Sequence, residues 1–65
     1  PESVSAETFD RYQNFLNQRL HDKGPWPSLE KTLDKTRSML IEATGEQKEI
    51  LEQLENCLVK KSEFN

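Results

Sequence analysis

Five residues, Gly24-Pro25-Trp26-Pro27-Ser28, restrict the fold of this chain more than any other stretch. Neither proline can donate to a helical ladder, and each biases the residue before it toward extended backbone. Gly24 can take the left-handed conformation that ends a helix, and Ser28 carries a hydroxyl suited to an N-cap. The segment therefore reads as a stop, a stiff connector and a start, with the only tryptophan, Trp26, held between the prolines. Whatever lies before it and after it must be separate elements.

Both flanks carry a helical period. Ser5 is placed to cap a first helix over residues 6–23, with Val4 positioned to pack on Phe9 as a hydrophobic staple. At about 100° per residue, Phe9, Tyr12, Leu16 and Leu20 share one stripe, and Phe15 lies off it beside Tyr12 and Arg19. Glu7 and Asp10 near the start, and Arg19, His21 and Lys23 near the end, complement the helix dipole.

A second helix is expected over residues 29–43, with Leu29, Leu33, Thr36, Leu40 and Ala43 on a narrow arc and Met39 and Ile41 on its flanks. Thr44-Gly45-Glu46-Gln47 reads as a capping box that opens a third helix over residues 46–61. That helix places Ile50, Leu51, Leu54 and Leu58 on one face, Cys57 at its margin and Val59 off it. No segment alternates with period two, so the expected fold class is all-α. Two short connections predict an up-down-up three-helix bundle, and the alternative is a helical hairpin with a loosely attached first helix.

With 65 residues the chain makes one domain at most, and a chain of that size buries only about 60% of its unfolded surface. A partner or a host chain is a natural source of extra stability. The first residue is Pro1 and the single methionine, Met39, is internal, so the expectation is a fragment of a larger protein. No apolar run approaches the roughly 18 residues that cross a bilayer, and no secretory leader pattern occurs. A single cysteine and the lack of an Asn-x-Ser/Thr site predict an intracellular compartment, with cytoplasm and nucleus indistinguishable.

A net charge of -3 disfavours a phosphate-backbone binder. The second and third helices invite a helix-turn-helix comparison, which fails on charge: Glu46, Glu49, Glu52 and Glu55 would face the phosphates. Position 41, where that motif prefers a small residue, holds isoleucine. His21 at a helix end reads as a solvated residue complementing the dipole, and Cys57 reads as a small buried hydrophobe. No Cys-x-x-Cys, His-x-x-x-His or alternating acidic loop is present, so neither a metal site nor a cofactor site is expected, and no catalytic residue is assigned. Lys31 and Lys35 belong to a solvated mixed face, with contact to an acidic partner as the other possibility.

What remains is apolar surplus. The function expected is a non-catalytic, adaptor-like protein interaction module that docks a helix or short motif of a partner. Tyr12, Phe15, Trp26, Met39 and Ile41 are its candidate contacts, an aromatic and flexible set of the kind enriched at interface centres. The alternatives are a structural domain that self-associates along an Ile50, Leu54, Cys57/Leu58 seam and, remotely, an accessory domain for nucleic acid. For Trp26 the small size of the chain favours a packed position.

Overall fold

The computed structural model describes residues 5–65, which form three helices, α1 (Ala6–His21), α2 (Leu29–Glu42) and α3 (Gly45–Phe64). They run up, down and up as a small bundle measuring 37 × 19 × 16 Å. No strand occurs among the described residues. The expected staple from Val4 lies outside them.

α1 starts where its cap demands. Ser5 is extended, and its Oγ accepts from the Thr8 N–H at 3.2 Å. The helix ends at His21, two residues before the expected limit, with Asp22 already extended at ψ 135°. Two forces release it there. Gly24 precedes a proline, which disfavours helical backbone, and Lys61 Nζ donates to the carbonyl oxygens of Asp22 at 3.2 Å and Gly24 at 3.1 Å. The left-handed Gly24 expected from sequence is not formed: among the described residues only Gly45 has a positive φ, at 61°.

Two further caps differ from expectation. Ser28 makes no capping bond, because its Oγ accepts from Trp26 Nε1 at 3.0 Å instead. α2 opens on backbone geometry alone, with Leu29 N–H donating to Trp26 O at 3.1 Å and Thr32 N–H to Ser28 O at 3.1 Å. Thr44 is extended and its side chain caps nothing, so the left-handed backbone of Gly45 carries the turn into α3.

The core joins Phe9 and Leu16 of α1, the linker's Trp26, Leu29, Leu33 and Ala43 of the α2 segment, and Leu51, Leu54 and Leu58 of α3. Each of the six buried leucines contributes on the order of 2 kcal/mol on leaving water. The Arg37–Glu55 pair that joins α2 to α3 at 2.8 Å is partly exposed and is worth less than about 1 kcal/mol, so apolar burial dominates. Tyr12, Leu20, Met39, Leu40, Ile50 and Val59 pack at the core's edge.

Cys57 is exposed, which corrects its reading as a buried hydrophobe. At about 100° per residue it points roughly a quarter turn away from the stripe of Leu51, Leu54 and Leu58. Leu54 and Leu58 of the proposed self-association seam are instead inside the chain's own core.

α3 is the common neighbour of the other two helices. No Cα of α1 lies within 8 Å of a Cα of α2. Those two helices meet through side chains, and that gap holds the candidate site.

Candidate functional site

Trp26 anchors the site from beneath. It is 2% exposed, so the packed position expected from chain size is the one it occupies. Its polar groups are paired: Nε1–H with Ser28, and the backbone with Asn65, whose Oδ1 accepts from Trp26 N–H at 2.6 Å and whose Nδ2 donates to Trp26 O at 3.0 Å. The Asn65 amide thus matches both backbone groups of one linker residue, as a neighbouring strand would. The Arg19 guanidinium lies 5.1 Å from the Trp26 ring centroid, within cation–π range.

Phe15 meets Trp26 edge-on with centroids 6.3 Å apart, and Tyr12 stacks on Phe15 at 6.5 Å with a 29° interplanar angle. These spacings fall in the favourable range for aromatic pairs. Three of the five candidate contacts therefore form one aromatic series, in which Trp26 is buried, Tyr12 is half-buried and Phe15 is 46% exposed. Met39 packs on the core and Ile41 is 85% exposed beyond Lys35, toward the C-terminal end of α2. The fold does not bring them to the aromatic series.

Tyr12 ties α1 to α2. Thr36 Oγ1 donates to Thr32 O at 2.9 Å and accepts from the Tyr12 hydroxyl at 2.7 Å, and the phenol oxygen also lies 3.2 Å from Thr32 O. Thr36 is fully buried, so this small network satisfies a polar group inside the core. Desolvation holds the Tyr12 phenol above its ordinary pKa of 10.0, and the Thr36 hydrogen bond acts in the opposite direction.

An open groove of about 470 Å³ runs between α1 and α2, floored by Tyr12 and Phe15 and edged by Arg11, Lys31 and Lys35. Lys35 Nζ sits 5.0 Å from the Tyr12 ring centroid. Among the described residues only two ion pairs form, Arg11–Glu7 at 2.7 Å and Arg37–Glu55 at 2.8 Å, and neither involves Lys31 or Lys35. A slightly larger recess, about 530 Å³, separates the starts of α1 and α3, but Asp10, Gln13 and Glu46 make it polar. A smaller hollow, about 330 Å³, lies over Leu20, Cys57 and Phe64.

Sequence reasoning placed Arg11 outside the candidate set and missed Lys61 and Asn65 as linker partners. Nothing in the helical periodicity ties Lys61 or Asn65 to a segment so far away in the chain. Among the described residues no group of three His, Cys, Asp or Glu side chains is arranged to hold a metal ion. No described helix is long and apolar enough to cross a membrane. No protein-family description, curated protein or solved structure matches the chain.

Proposed function

We propose that this chain is a non-catalytic interaction module that docks a segment of another protein in the groove between α1 and α2. One observation carries the proposal: Phe15 is half-exposed yet fixed between Tyr12 and Trp26. An aromatic side chain already restrained by its neighbours loses little entropy on binding, and aromatics of this kind dominate interface centres. Ile41 and Phe64 are more exposed, but neither lines that groove. We place the protein in a reducing, intracellular compartment, because the exposed thiol of Cys57 has no described partner cysteine and such thiols cross-link or oxidise elsewhere.

A second role, self-association, is favoured by the apolar hollow in which Phe64, 86% exposed, lies beside Leu20 and Cys57. Molar mass measured against concentration separates the two. A monomer throughout supports docking of a foreign segment, and a dimer dispersed by Phe64→Ser supports self-association. The docking role itself is tested by nuclear magnetic resonance mapping of peptides selected on the domain. Shifts centred on Tyr12 and Phe15 support it, and binders that leave both unmoved overturn it.

A further inference from the structure

From the charge around this groove we infer its occupant: an acidic amphipathic helix of a partner protein, an identity that rests on the docking role proposed above. The chain as a whole is acidic, at -3, yet the groove edge is basic. Arg11 stands on the α1 side and Lys31 and Lys35 on the α2 side, and among the described residues Glu7 is the only carboxylate paired to any of them. Holding unpaired ammonium groups beside an aromatic floor favours a partner that brings carboxylates and an apolar side chain together.

The spacing selects a helix. Lys31 and Lys35 are one helical turn apart on α2, a separation of about 5–6 Å, which acidic residues one turn apart on a bound helix reproduce. The floor from Thr8 to Phe15 extends about 10 Å along α1, the length of two turns. One large apolar residue then enters over Tyr12 and Phe15, where no Cα of α1 comes within 8 Å of a Cα of α2, while its acidic neighbours reach Arg11, Lys31 and Lys35.

Phosphates and stacked bases would also meet cations and aromatics here. A nucleic acid, however, gains little counterion release from a patch with three cations, one of them paired with Glu7, on a chain of net charge -3.

The test uses a displayed library of random peptides selected on the wild-type chain and on the Lys31→Glu/Lys35→Glu variant. Both lysines are exposed, so the variant keeps its fold, and its thermal unfolding is checked by circular dichroism. Wild-type binders are expected to combine one large apolar residue with Asp or Glu one turn apart. Their affinity is expected to fall about tenfold on the variant and to weaken with salt. Neutral or basic binders whose shifts map to Tyr12 and Phe15 and whose affinity ignores the double reversal overturn the inference while leaving the docking role standing. Oligothymidylate binding more tightly than the best peptide assigns the groove to nucleic acid and overturns it too. If no peptide of any charge moves the Tyr12 and Phe15 signals, the docking role falls and takes the inference with it.

Discussion

Tyr12 concentrates much of the α1–α2 connection in one hydroxyl. Because burial raises its pKa, the folded chain holds the phenolic proton more tightly than the unfolded chain does. Both states are protonated below the unfolded value of 10.0, so the contribution is constant there, and stability declines as pH rises from 10.0 through the folded value. Urea titrations across alkaline pH are expected to show this decline and to lose that component in Tyr12→Phe. The Lys35 ammonium lies 5.0 Å from the Tyr12 ring centroid, so the comparison is best made with Lys35→Met in both chains. At neutral pH Tyr12→Phe costs only about 1 kcal/mol, because Thr36 still donates to Thr32 O. The two glycines divide in the same way by their backbone. Gly45→Ala forces a Cβ into the left-handed region at about 1–2 kcal/mol, although no neighbour obstructs it. Gly24→Ala meets neither strain nor a neighbour within 4 Å and is expected to be neutral or to stabilise by about 0.4–1 kcal/mol. Equal losses at both sites in denaturant titration would contradict the turn geometry.

At the scale of elements, the end of α3 fixes the linker. Asn65→Ala removes both backbone bonds to Trp26, and Lys61→Met keeps the apolar stem while removing the two carbonyl contacts. Each is expected to cost about 1–2 kcal/mol, and Asn65→Ala should also shift Trp26 fluorescence to the red. An unchanged spectrum in Asn65→Ala would mean that the prolines alone position the indole. These contacts also explain which helix ends could be read from sequence. The stripes of Phe9, Leu16, Leu29, Leu33, Leu51, Leu54 and Leu58 were legible because burial follows the helical period. The stop at His21 and the run of α3 to Phe64 were not, since Lys61 and Asn65 act on residues far away in the chain. Thr44 matched a capping pattern, but the pattern does not report that its side chain makes no capping bond or that Gly45 takes the left-handed backbone. The groove was half legible. Tyr12 and Phe15 stood out as aromatic surplus, whereas setting Arg11 opposite Lys31 and Lys35 requires the relative placement of two helices.

For the molecule as a whole, α2 and α3 form the closest pair, and α1 is held through Phe9, Leu16, Tyr12 and the linker tryptophan. Amide hydrogen exchange under native conditions is expected to show α1 opening at lower free energy than α2 and α3, with Tyr12→Phe widening the difference. One shared opening energy for all three helices would mean that the side-chain connection is as strong as the direct helix contact. The pairing of Trp26 with Asn65 spans 39 positions in the chain. Contacts this remote form late, because loop closure must come before the bonds that reward it, whereas the α2–α3 hairpin needs only a short turn. Trp26 is therefore a clock for the last step of folding, and Asn65→Ala should quicken unfolding while leaving the folding rate unchanged.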